Sequence, residues 1–212
     1  MKPPDPARLA RLDALGAGLP FLSAQPLPPY RYIPGLNAHP KAYPKGYIHG
    51  LQTGPIPALP PEAWARSVSY LQGCDLYNRG YWWEAHEAWE GLWQVTRDRP
   101  RQHRFLQGLI QAANAQLKLA LDLPRAVRRL WDKAEDHFVA AQGPEPFMGM
   151  ALEPWRRSTG IYLTTRLEAG GGWHDPASFP CIKLQNSPDL PWPLPTTRTI
   201  MLNEDEGEPP CR

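Results

Sequence analysis

The chain is poor in cysteine: Cys74, Cys181 and Cys211 are its only three in 212 residues, scattered and odd in number. Without a CxxC spacing they form neither a disulfide framework nor a zinc ribbon. No apolar run approaches the roughly 20 residues needed to span a bilayer, so no membrane partner is expected. The opening MKPPDPARLARLDALGAGLPFL lacks the continuous apolar stretch of a secretory signal, which predicts a cytoplasmic protein. Neither sign of charge is in excess. Lys and Arg number 23 against 21 Asp and Glu, for a net charge of +2 at pH 7. That balance predicts no general attraction to nucleic acid. Also missing are the GxxxxGK phosphate loop, GxGxxG, the GxSxG nucleophile elbow and HExxH, as is any repeat of fixed period.

What the chain has in abundance is proline, 27 residues concentrated outside its middle. Residues 1–60 hold one short helical pattern, Pro6 to Leu15, and then a stretch rich in Pro, Tyr and Gly. Its prolines remove backbone donors and bias their neighbours to extended conformations, which disfavours a long helix or a central strand. Tyr30, Tyr32, Ile33, Tyr43, Tyr47 and Ile48 are too apolar for a free linker, so the segment reads as an arm packed on a core domain. A second Pro-rich tail spans 169–212, ending in NEDEGEPPCR, which reads as disordered.

Between the arms, over residues 61–168, apolar residues recur at helical spacing. The pattern predicts helices from Pro61 to about Asn78, Tyr81 to Arg97, Arg101 to Leu121 and Pro124 to about Ala141, with one more over 154–168. Short connections imply antiparallel neighbours. The fold class is therefore all-α, an up-and-down bundle of four to five helices with Pro-rich extended arms at both ends.

The densest chemistry lies in WEAHEAWEGLW, residues 83–93. Residues four apart share a helix face, so His86 stands over Glu90, with Trp93 on the same flank. Glu84 falls on the opposite flank and Glu87 points further outward. An imidazole and a carboxylate on adjacent turns suit zinc, iron, manganese or nickel, with further ligands from facing helices. They equally suit a metal-free His–Glu hydrogen bond that orders the core. The paired Glu-x-x-His motifs of dinuclear bundles are absent, which favours a mononuclear site over a dinuclear one.

The third helix is apolar over a wide arc and leaves a narrow polar strip of Arg104, Gln107, Gln111, Asn114 and Lys118. Amides there can line a cavity beside the His86 helix and orient a ligand, a water or the histidine itself. Asp75 sits on an apolar face and needs a partner, with Arg104, His86 or a metal as candidates. His137 borders the stripe of the fourth helix. His39, His49, His103 and His174 fall in loops or at helix ends and read as surface residues. Cys74 has no basic neighbour to activate it. Arg125, Arg128, Arg129 and Lys133, interleaved with acids, read as a solvated face.

The segments YNRGYWWEAHEAWEGLW and RFLQGLIQAANAQLKL together resemble a bacterial and archaeal family of unknown function with the signature HxxxExxW, here His86, Glu90 and Trp93. The resemblance covers roughly residues 66–140. It implies a compact all-helical domain in which the signature is functionally important and binds metal, with Gln107 and Gln111 in a companion motif. It implies no established activity, and both arms lie outside it.

Two functional classes follow. In one, His86 and Glu90 hold a divalent ion for metal-assisted hydrolysis, with Glu87 or Glu84 as the spare base. In the other, the His–Glu–Trp cluster is structural and the protein is a non-catalytic interaction module. Nine tryptophans and the apolar arms point to a homodimer, or to an unknown small-molecule or protein partner.

Overall fold

Helix ends fall close to where the sequence punctuates the chain. A computed structural model describes residues 10–42, 45–48, 54–170 and 174–187. It contains α1 (Val68–Asn78), α2 (Trp82–Gln94), α3 (Pro100–Ala120), α4 (Pro124–Ala140) and α5 (Leu152–Glu168), with 3-10 turns at Arg11–Ala14 and Pro61–Arg66. Among the described residues there are no strands, only two isolated bridges, Phe147 to Met150 and Met150 to Leu184. The chain is thus an all-α bundle.

Pro100 and Pro124 open α3 and α4 at positions whose N–H would lack an intrahelical partner in any case. Gly80 closes α1 with φ +78°. The Tyr81 N–H donates to Leu76 O at 2.9 Å and the Gly80 N–H to Tyr77 O at 3.2 Å, the paired bonds of a Schellman cap. The expected single helix from Pro61 to Asn78 is corrected to a 3-10 turn followed by α1. Ser67 between them is extended at φ −82°, ψ 96°. The break lets Trp64 pack against Gly149, where a Cβ would come within 2.5 Å of the indole. The first residues of the expected helix from Pro6 to Leu15 lie outside the described residues, and its described part is a 3-10 turn; the NEDEGEPPCR tail also lies outside the described residues.

Consecutive helices pack side by side from α1 to α4, and α5 joins through α4. The α2–α3 pair is antiparallel, since His86 meets Asn114 while Trp93 meets His103. Two close approaches need glycine. At Gly73 a Cβ would lie 2.2 Å from the Trp89 indole nitrogen, and at Gly108 it would lie 2.4 Å from the Phe138 ring. Trp89, Phe105 and Phe138 are fully buried there, each contributing on the order of 2–3 kcal/mol by burial.

The Pro-rich segments are fastened by buried polar side chains at the α1–α2 corner. The Asp75 carboxylate accepts the Leu22 N–H at 2.9 Å and the Ser23 N–H at 2.8 Å, and pairs with Arg79 at 3.3 Å. Arg79 in turn donates to Leu19 O at 2.7 Å. Asn78 exchanges both hydrogen bonds with the backbone of Ile182, at 2.8 and 2.6 Å. Burial pushes the Asp75 carboxyl up, against the pull of its two N–H donors and Arg79, and lowers Arg79 for the same reason. Burial is the largest influence on both partners, and the pair with its backbone bonds holds the arm in register.

Candidate metal centre

His86 lies on the flank of α2 that faces α3, not at its buried centre, because Ala85, Trp89 and Leu92 occupy the core side. One helical turn on, Glu90 brings its Oε2 to 3.7 Å from His86 Nε2. Glu87 swings in beside them: one ligand atom each from His86, Glu87 and Glu90 lie within 4.8 Å of one another. All three side chains are partly exposed, at 24% for His86, 27% for Glu87 and 40% for Glu90. The set is therefore reachable from solvent, as a binding site must be.

The other ring nitrogen of His86 is braced from α3. Asn114 Oδ1 stands 3.1 Å and Nδ2 2.9 Å from Nδ1, so the amide can engage the ring in either orientation. If Oδ1 accepts from Nδ1–H, Nε2 presents a lone pair to Glu90, and two acceptors face each other across 3.7 Å. Such a pair calls for a cation. If Nδ2 donates to Nδ1, Nε2–H points at the carboxylate and the cluster closes on itself. The amide thus selects between a ligand set and a self-contained hydrogen-bonded pair. Lys41 from the N-terminal arm already supplies one cation, forming an ion pair with Glu87 and lying 5.6 Å over the Trp83 ring.

Other residues singled out in the sequence fall elsewhere. Glu84 is not solvated but buried at 5% exposure. Its Oε1 accepts the Tyr32 N–H at 2.7 Å and the Tyr47 hydroxyl at 3.0 Å, which turns it towards the arm. Burial pushes its carboxyl up, partly offset by those donors. Trp93 stacks on His103, with centroids 4.6 Å apart, and does not join His86. Gln107 and Gln111 lie half-buried on the α3 strip, but Asn114 is the amide that reaches the histidine. His137 meets Arg104 at 3.4 Å. Asp75 bonds to Leu22, Ser23 and Arg79 rather than to Arg104 or His86.

Among the histidines expected at the surface, His39 is exposed, whereas His49 lies outside the described residues. His103 is half-buried against Trp93 and bonds to Trp93 O at 3.1 Å. His174 is corrected to a core residue, 3% exposed. Its Nε2–H donates to Gln116 O at 3.1 Å, and its Nδ1 accepts from the Tyr162 hydroxyl at 3.0 Å. Burial lowers it to about 3, so it stays neutral. No local pattern around GGGWHDPAS announces this, because both partners lie on distant helices. Cys74 is buried and its thiol is pushed up by desolvation, which leaves it without nucleophilic character.

A family described as Domain of unknown function (DUF309) is found at residues 70–130. The matched stretch runs from α1 into the first turns of α4 and contains His86, Glu87, Glu90, Trp93 and Asn114. The comparisons with curated proteins and with solved structures give no match. Among the described residues, no helix is long and apolar enough to cross a membrane.

Proposed function

We propose that the His86 face of α2 is a mononuclear divalent-metal centre that serves metal-assisted hydrolysis. The carrying observation is the convergence of His86, Glu87 and Glu90 ligand atoms within 4.8 Å, on a partly exposed surface. His86 and Glu90 are the primary donors. Asn114 holds the ring from the far side, as outer partners of metal-bound imidazoles do. Glu87 is the further carboxylate in reach, a third donor or a proton acceptor, and its pairing with Lys41 makes it the exchangeable member. Glu84 drops out as the base because it is buried and turned towards the arm, where its Oε1 accepts from Tyr32 and Tyr47, outside the group formed by His86, Glu87 and Glu90. One imidazole with carboxylates favours manganese, iron or zinc over softer ions. When bound, such an ion polarises a carbonyl or phosphoryl oxygen and acidifies a coordinated water.

The competing reading has its own observation. With Asn114 Nδ2 donating to Nδ1 at 2.9 Å, the His86–Glu90 pair needs no ion, and the α2–α3 contact is simply an ordered polar seam. Elemental analysis separates the two. Protein prepared without an affinity tag or chelator and equilibrated with manganese or zinc should retain one ion per chain. His86→Ala and Glu90→Ala should lower retention at least about tenfold. Substoichiometric metal in the wild type under these conditions selects the seam.

A further inference from the structure

At the other end of the α2–α3 seam, basic groups outnumber acidic ones. Trp93 is seven residues beyond His86, about 10 Å along the axis at the usual helical rise. Here His103, in the first turn of α3, lies against Trp93 with its Nδ1–H donating to the Trp93 carbonyl at 3.1 Å. Arg104, the next residue, is exposed and approaches no carboxylate among the described residues. Its guanidinium donates instead to His137 Nδ1 at 3.4 Å, a neutral acceptor from α4. Arg97 acts on His103, and Arg104 and Lys133 act on His137, each depressing the imidazole's pKa alongside the effect of burial.

Acid is scarce in this corner: Asp98 lies 3.4 Å from Arg99, and Asp136 neighbours His137. The first turn of α3 contains no acidic residue, so its positive dipole end adds to the same charge rather than meeting it. One buried donor, the Trp93 indole nitrogen, finds no hydrogen-bond acceptor among the described residues, while Arg99 Nη1 has the Asp98 carboxylate as its ion-pair partner. An unpaired buried donor, like charges held together and a helix dipole of the same sign are each unfavourable alone. An anion relieves all three at once.

We propose that this corner binds a phosphate-type oxyanion, with Arg97 and Arg104 as its principal charges, Lys133 behind them, and His103 and His137 as imidazoles that take up protons when the anion arrives. Arg97 and Arg104 are uncommitted to carboxylates and can offer forked donors to two oxygens. The site stands independently of metal at His86. The same chemistry is presented by a small phosphorylated molecule or by a nucleic-acid backbone.

The test is titration of metal-stripped full-length protein with inorganic pyrophosphate, followed by calorimetry and by the imidazole proton resonances. Saturable binding is expected, with the pH midpoints of His103 and His137 both moving upward in the bound form. Arg104→Gln should weaken binding at least about tenfold and cancel the His137 shift. Arg125→Gln, an equal charge change at the far end of α4, should leave both in place. A single-stranded oligonucleotide that displaces pyrophosphate and loses affinity in Arg104→Gln assigns the phosphate to a nucleic-acid backbone, and failure to displace assigns it to a small molecule. Absence of saturable binding, or equal weakening by Arg125→Gln and Arg104→Gln, overturns the proposal.

Discussion

The two polar faces of this bundle use the same residue types in opposite ways. At the α1–α2 corner, Asp75, Asn78, Glu84 and Arg79 are buried, and each is bonded to the backbone of a Pro-rich segment at distances between 2.6 and 3.1 Å. On the α2–α3 face, His86, Glu87 and Glu90 are partly exposed, and the His86–Glu90 approach is a loose 3.7 Å. The first set has spent its capacity on the fold except at one atom, the buried Glu84 Oε2. The second retains its capacity. A polar residue in a helical bundle is thus read by how completely its lone pairs and protons are committed, rather than by its type.

The physical origin of the first set is the proline content. An extended arm without a sheet partner leaves its remaining N–H groups to find acceptors elsewhere. The donors at Leu22, Ser23 and Tyr32 find them in carboxylates projecting from α1 and α2. Removing a buried acceptor strands these donors. The largest effect is therefore expected from Asp75→Ala and Asn78→Ala, each destabilising by about 2–4 kcal/mol in urea unfolding, with no change in metal content. A loss below about 0.5 kcal/mol would dissolve the contrast between the two faces.

His174 sharpens the contrast through pH. Its pKa falls from the ordinary 6.5 to about 3 on folding, so the unfolded chain takes up a proton that the native state refuses. Its contribution is full above pH 6.5 and is lost progressively as pH falls towards 3. Between pH 7 and pH 5, the wild type should lose about 2 kcal/mol more stability than His174→Gln. Equal losses in the two proteins would mean that the imidazole titrates in place.

Smaller effects belong to the open face. His86→Ala should change folding stability by less than about 1 kcal/mol, because the side chain is a quarter exposed. Asn114→Asp, which fixes the proton on Nδ1, should tighten metal binding, whereas Asn114→Leu should weaken it about tenfold. Lys41→Met frees Glu87 of its ion pair and should raise metal affinity about threefold, as calorimetry with manganese would read.

Most of the helical architecture was legible in the sequence, because burial stripes and Pro or Gly punctuation act within a single turn. The wide apolar arc of α3 and its amide strip were visible in this way, and so was an amide capable of orienting His86. Periodicity could not show Glu84 or His174 as buried anchors. Their partners, Tyr32, Tyr47, Gln116 and Tyr162, are 12 to 58 residues away along the chain. The course of a proline-rich arm carries no periodic signal. A helical wheel points Glu87 outward because it fixes only the Cβ direction, while the length of the glutamate side chain lets its carboxylate return to His86. The break at Ser67 was hidden because a 3-10 turn and an α-helix share the same proline start and nearly the same spacing of apolar residues.

The most direct test uses manganese as a paramagnetic probe in a backbone amide spectrum of the full chain. At a small fraction of an equivalent, signals around residues 86–90 and Asn114 should broaden first, while those of Asn78, His174 and Ile182 remain sharp. Uniform broadening, no broadening, or a pattern centred on the arm-facing corner would contradict a metal centre at His86, Glu87 and Glu90.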